Sequence, residues 1–198
     1  LIRTHSRTAR PRVQTRNCMT GTSGAVSLQA RGREIVVERP MIMAVINATP
    51  DSFSDAGAYA SIDARMERTR EVLEQGADVL DVGGQSAITG VPEIPEEEEI
   101  ERISPVIQWI EANAPQAIVS VDTYRPAVAR AALQAGAHII NDISGLINPA
   151  MRQVALDTGS GVMIMHMQGD PKTMQHAPGY RDVIKEVHQF LKTQVDLL

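Results

Sequence analysis

The chain has 198 residues, 43% of them hydrophobic and 22% charged, which is enough apolar material for one ordinary globular domain and too much for disorder. Its formal charge is −5; residues 1–18 hold five arginines and no acid, so residues 19–198 carry all 24 acidic side chains and 14 of the 19 basic ones, an acidic body that argues against nucleic acid as the main partner. No apolar stretch approaches the ~18 residues of a membrane span, the start lacks the apolar core of a secretory signal, and the single Cys18 excludes an internal disulfide and a cysteine zinc framework, so a soluble, cytoplasmic protein is expected.

Residues 1–18 read as a basic leader outside the fold, with Met19 as the natural start and residues 19–198 as one domain. Val26–Gln29 and Glu34–Glu38 flank a glycine-containing turn and predict a short hairpin that plugs the bottom of the following sheet. Five apolar runs of strand length then end abruptly in polar or glycine residues. They are Met41–Ile46 into Asn47, Asp78–Val82 into Gly83-Gly84, Ala117–Val121 into Asp122-Thr123, Ala137–Ile140 into Asn141-Asp142, and Val162–Met165 into His166. Helical spacing separates them, with helices predicted over Ile62–Gln75, Pro95–Asn113, Arg125–Ala135, Pro149–Thr158 and Tyr180–Leu198. Gly76, Gly136 and Gly159 suit helix C-caps, Pro95 and Pro149 suit first turns, and Pro105 should kink its helix.

This β-α alternation predicts a parallel α/β fold whose strand endings gather on one face, the usual address of an active site. Glu96–Glu99 reads as a solvated helix start in which acid complements the macrodipole, rather than as a metal site. Neither a dinucleotide fingerprint nor a phosphate loop is present.

Several endings carry chemistry. An amide oxygen at Asn47 suits a hard cation that completes its shell with substrate phosphate and water, although Thr49-Pro50-Asp51-Ser52 reads equally as a turn with an N-cap. Asp122 follows residues that should be buried and needs partners; a ligand with two adjacent N–H donors, as in pterins or guanine, supplies them. Asn141 offers donor and acceptor together, and both residues read alternatively as helix caps. Met163, Met165 and Met167 suit the flat face of a heterocycle or plain core; His166 lacks any second histidine or cysteine at metal-like spacing.

The segment Met43-Ala44-Val45-Ile46-Asn47-Ala48-Thr49-Pro50-Asp51-Ser52-Phe53-Ser54-Asp55 closely resembles the first signature of the dihydropteroate synthase family. Asp81-Val82-Gly83-Gly84, Val119–Thr123, His138–Ile143 and Met165–Gln175 extend the likeness over about residues 26–198. The resemblance implies an eight-stranded (β/α) TIM barrel that joins 6-hydroxymethyl-7,8-dihydropterin diphosphate to 4-aminobenzoate in folate synthesis. It implies Asn47 as ligand of a Mg2+ ion holding the diphosphate, and Asp122, Asn141, Ile143 and Met165 as the pterin pocket. The loop carrying Asp51 and Phe53 would close over the site to help bind aminobenzoate. The full-length family protein is usually a homodimer and a target of sulfonamides.

Two departures stand out. Where the family has Glu-Ser-Thr-Arg-Pro-Gly, this chain has Gln85-Ser86-Ala87-Ile88-Thr89-Gly90. The missing arginine removes a charge-assisted contact of about 1.5–3 kcal/mol, which lowers activity roughly ten- to hundred-fold. The family's later strands also have no counterpart, so about five β-α units and a sequence lacking its C-terminal third are expected. Two other functions are compatible with these residues: a degenerate paralogue that binds pterin or a partner protein without turnover, and a methyltetrahydrofolate-type methyltransferase. The Thr49–Phe53 segment argues against the latter.

Overall fold

The computed structural model describes residues 26–48, 61–85, 92–171 and 173–198. Strands β1 (Val26–Ala30) and β2 (Arg33–Val37) form an antiparallel hairpin through Arg31-Gly32. Five parallel strands follow in sequential order: β3 (Met43–Asn47), β4 (Val79–Gly83), β5 (Ile118–Asp122), β6 (Ile139–Asp142) and β7 (Gly161–Ile164). The crossovers carry α1 (Ile62–Glu74), α2 (Glu96–Asn113), α3 (Pro126–Ala135) and α4 (Pro149–Thr158), and α5 (Val183–Asp196) comes last. Among the described residues the sheet is an open arc of five strands, part of a barrel.

Local chemistry sets the helix boundaries. Ser61 accepts from the backbone N–H of Ala64 at 3.2 Å to cap α1. Asn148 accepts from Ala150 N at 2.9 Å, and Pro149 takes the first position of α4. At α5, Asp182 accepts from Lys185 N at 3.0 Å while Glu186 accepts from the backbone N–H groups of Arg181 and Asp182 at 2.9 and 3.0 Å. That reciprocal cap starts the helix three residues later than the sequence spacing suggests. Helix α2 runs on through Pro105.

Strand alternation sorts side chains onto two faces. Ile46, Leu80, Val82, Val119, Val121 and Ile140 point outward and pack with Ile103, Ile107, Val128, Leu133, Met151 and Val154 of the helices in the main core. On the inner face, Ile139 packs with Ala30 and Ile35 of the hairpin, joined by Leu28, Met41, Ile118 and Met163. The hairpin therefore closes the N-terminal end of the inner face, as its sequence predicts. Arg31 and Arg33 tie it down by donating to the carbonyl oxygens of Ala137 (2.7 Å) and of Ala117 (3.3 Å) and Pro115 (2.7 Å). No described helix is long and apolar enough to cross a membrane.

Candidate functional site

With its bottom filled by the hairpin, the inner face is polar only toward the C-terminal ends of the strands. In-register pairing places Asn47, Gly83, Asp122, Asn141 and Met163 in one row across β3 to β7. One step below lie Val45, Asp81, Ser120, Ile139 and Gly161. Asp122 and Asn141 are direct neighbours, and Asn47 stands two strands from Asp122, about 10 Å by ordinary strand spacing. Gly83 contributes no side chain, and the Asp122 carboxylate lies against it: a Cβ at Gly83 would stand 3.6 Å from Asp122 Oδ2.

Asp122 is partly buried in an acidic neighbourhood. Burial, then the charges of Asp81, Glu99 and Asp142, push its pKa up to about 7. Such a carboxylate gains from any ligand that brings N–H donors to it. Asn141 donates from Nδ2 to Asp81 Oδ2 at 3.0 Å. Asp142, next along β6 and pointing outward, accepts from Ser144 N at 2.7 Å and Leu146 N at 3.1 Å, shaping the turn that carries Ile143. Burial pushes the Asp142 pKa up, partly offset by these hydrogen bonds. Met165 follows β7, with its backbone N–H reaching the Asp142 carbonyl at 3.4 Å, so the loops bearing Ile143 and Met165 are adjacent. Met165 is 38% exposed and Ile143 is half-buried. His166 stacks edge-on against Phe190, with ring centroids 5.0 Å apart, and lies 5.8 Å from Tyr180. Asp51 and Phe53 lie outside the described residues, as do residues 1–18 and 86–91.

One sequence expectation is corrected. Glu96–Glu98 do begin α2, but Glu99 is not a solvated first-turn acid: it is 1% exposed. It accepts from Thr123 Oγ1 at 2.9 Å and Arg125 Nη1 at 3.0 Å. Burial pushes its pKa up against the opposing pull of these two partners. The helical period turns position 99 inward, where a lone acid run in the sequence does not reveal the Arg125 that meets it. The same arginine donates to Ile94 O at 2.7 Å and to Glu93 at 3.3 Å, while Gln85 accepts from Ile94 N at 2.9 Å. The β4–α2 connection is thus fastened beside Asp122 at both ends. Gly84 permits this, since a Cβ there would lie 2.8 Å from Ile103 Cγ2 and 3.0 Å from Glu99 O.

Asp81 is the site residue that the sequence reading left out. Its signal was an acid inside the otherwise apolar run Asp78–Val82, at a position whose strand is buried throughout.

A profile of the family described as Pterin binding enzyme matches residues 43–198. The chain belongs to the pterin binding enzyme family. Among the similar members, dihydropteroate synthase of Escherichia coli (strain K12) is 42% identical over 170 residues, covering 86% of this chain and 60% of that protein. The dihydropteroate synthase of Yersinia pestis, solved with a sulfonamide drug complex, superposes with a TM-score of 0.80 at 38% identity, covering 86% of this chain and 62% of the other. That of Burkholderia cenocepacia, complexed with 7,8-dihydropteroate, gives 0.73 at 39% identity over 85% of this chain and 56% of its own. That of Xanthomonas albilineans with 4-aminobenzoic acid gives 0.74 at 40% identity over 85% and 60%. The fold is therefore that of the TIM-barrel pterin binding enzymes, and this chain spans about 60% of the length of the relatives it matches.

Proposed function

We propose that this chain supplies the pterin-reading side of a dihydropteroate synthase, a transferase that condenses 6-hydroxymethyl-7,8-dihydropterin diphosphate with 4-aminobenzoate. The observation that carries this reading is the pairing of Asp122 and Asn141 on neighbouring strands, in one row with Asn47. Relatives of 38–42% identity are named for this activity, and solved ones hold dihydropteroate or 4-aminobenzoic acid.

In this reading Asp122 accepts two N–H groups from the pterin's amino edge, while Asn141 meets the same edge from β6. Ile143 and Met165 flank the ring, and the family resemblance assigns Asp51 and Phe53 to the binding of aminobenzoate. Asn47 suits Mg2+: its amide oxygen at the C-terminal end of β3 is a hard donor, and a magnesium ion held by one or two protein oxygens completes its shell with substrate phosphate and water. When bound, the metal supplies positive charge to the departing diphosphate. The bond from the pterin methylene carbon to the diphosphate oxygen breaks, the electron pair leaves with diphosphate, and the arylamine nitrogen forms the new C–N bond and loses a proton. The protein's part is to orient the ring and exclude alternatives. The lone Cys18 accords with a cytoplasmic setting for this step.

The altered Gln85–Thr89 segment favours a second reading, pterin binding without turnover. A turnover assay with pterin diphosphate, aminobenzoate and Mg2+ separates the two. Formation of dihydropteroate supports the synthase; pterin binding with no product supports the degenerate paralogue.

A further inference from the structure

Asp81 belongs to neither the sequence-derived site nor any element that touches a ligand in the reading above, yet it is 4% exposed on the inner face. Its Oδ2 accepts from Asn141 Nδ2 at 3.0 Å, reaching diagonally past β5, and its Oδ1 has no hydrogen-bond partner in the structure. Directly beside it in register, Ser120 is fully buried and its Oγ also lacks a partner. These two orphaned oxygens sit one step beneath Asp122 and Asn141, so the floor of the row is itself polar.

We propose that Asp81 is a specificity-determining positioning residue: by holding the Asn141 amide nitrogen, it turns the Asn141 carbonyl oxygen toward the ligand and makes the row an acceptor array that selects an amino-bearing heterocycle edge. The reason is the donor and acceptor inventory. A carboxylate only accepts, so the asparagine atom facing it must be the NH2 group. That leaves Oδ1 as the acceptor Asn141 can offer a ligand, and its register neighbour Asp122, when ionised, also only accepts. A ligand that presents N–H groups to both is held, whereas one that presents a carbonyl oxygen meets two acceptors and leaves buried polar atoms unpaired. With an amphoteric neighbour at position 81, nothing fixes the amide, and Asn141 turns to suit either edge.

This role rests on the pterin reading and deepens it. The test uses the whole chain and two probes, 6-hydroxymethylpterin and the matching lumazine in which the 2-amino group is replaced by a carbonyl oxygen, titrated into wild type, Asp81→Asn and Asp81→Ser. Wild type is expected to prefer the pterin, and either variant to lower the pterin-to-lumazine affinity ratio by about tenfold. Melting curves identify which variant remains folded, and the serine variant serves if the asparagine variant does not. An unchanged ratio, even with both affinities reduced, overturns the positioning role, since a merely structural residue weakens both probes alike. Wild type that binds neither probe overturns the pterin reading itself, and the role of Asp81 with it.

Discussion

Arg125 Nη1 donates at once to the carboxylate of Glu99, at 3.0 Å, and to the carbonyl oxygen of Ile94, at 2.7 Å. One guanidinium on the β5–α3 turn thereby joins the first turn of α2 to the segment leading into it. Arg125 and Glu99 are both buried, so removing the arginine takes away the ion-pair partner of a buried carboxylate. Arg125→Met is expected to cost about 3–5 kcal/mol of stability, and the pair Glu99→Leu with Arg125→Met to recover at least half of that loss. Urea denaturation of the single and double variants checks both values.

The raised pKa of Asp122 has a consequence for stability. The folded chain holds its proton up to about pH 7, whereas the unfolded chain releases it near the ordinary carboxylate value of 3.8. Between these values the native state binds more protons, so this residue's contribution falls as pH rises from about 4 through 7. Asp122→Asn should therefore raise stability at pH 8, by about 1–2 kcal/mol after allowance for partial exposure, or roughly 2–8 °C in Tm. At pH 4 the gain should vanish. Thermal melts across that range provide the measurement.

Gly145 joins the β6–α4 turn to α5. Its φ is +75°, and a Cβ there would collide first with the backbone carbonyl oxygen of Met165 and then lie 2.7 and 2.8 Å from the Phe190 ring atoms Cζ and Cε1. Gly145→Ala combines a left-handed strain with overpacking and is expected to destabilise by about 2–3 kcal/mol. Because the clash bears on the Met165 backbone itself and on Phe190, which packs against His166, methyl NMR of Met165 should shift in this variant and remain unchanged in a surface control such as Gln153→Ala.

How much of this was legible in the sequence follows from what each signal depends on. The strands announced themselves because each apolar run is bounded by polar or glycine residues, and Asn47, Asp122 and Asn141 stood out because each ends such a run. Helical crossovers make the pairing parallel, and the buried-face pattern fixes the register that sets these residues in one row. Asp81 and Glu99 were not legible in the same way. Each is an acid whose meaning is set by a partner far along the chain, Asn141 for one and Arg125 for the other, and no local pattern encodes those meetings. The later start of α5 likewise depends on Glu186 folding back onto two backbone N–H groups, which helical spacing does not distinguish from continued helix.

The Ala87-Ile88-Thr89 segment, which lies outside the described residues, makes a prediction about chemistry. Restoring the family pattern with Ala87→Thr, Ile88→Arg and Thr89→Pro is expected to add one charge-assisted contact for the diphosphate. Affinity for the pterin diphosphate is expected to rise about tenfold, with no change for 6-hydroxymethylpterin, which lacks that group. Competition titrations with the two ligands distinguish this from a general gain in folding.

The central claim is that Asp122 and Asn141 read one amino-bearing ring from adjacent strands. Calorimetric titration of 6-hydroxymethylpterin into wild type and Asp122→Asn, at pH 8 and at pH 5.5, tests it most directly. Binding by wild type should be at least tenfold tighter at pH 8, where Asp122 is ionised, and Asp122→Asn should lose about a hundredfold at pH 8 while becoming insensitive to pH. Equal binding by the two proteins, or a wild-type affinity that does not change with pH, would contradict it.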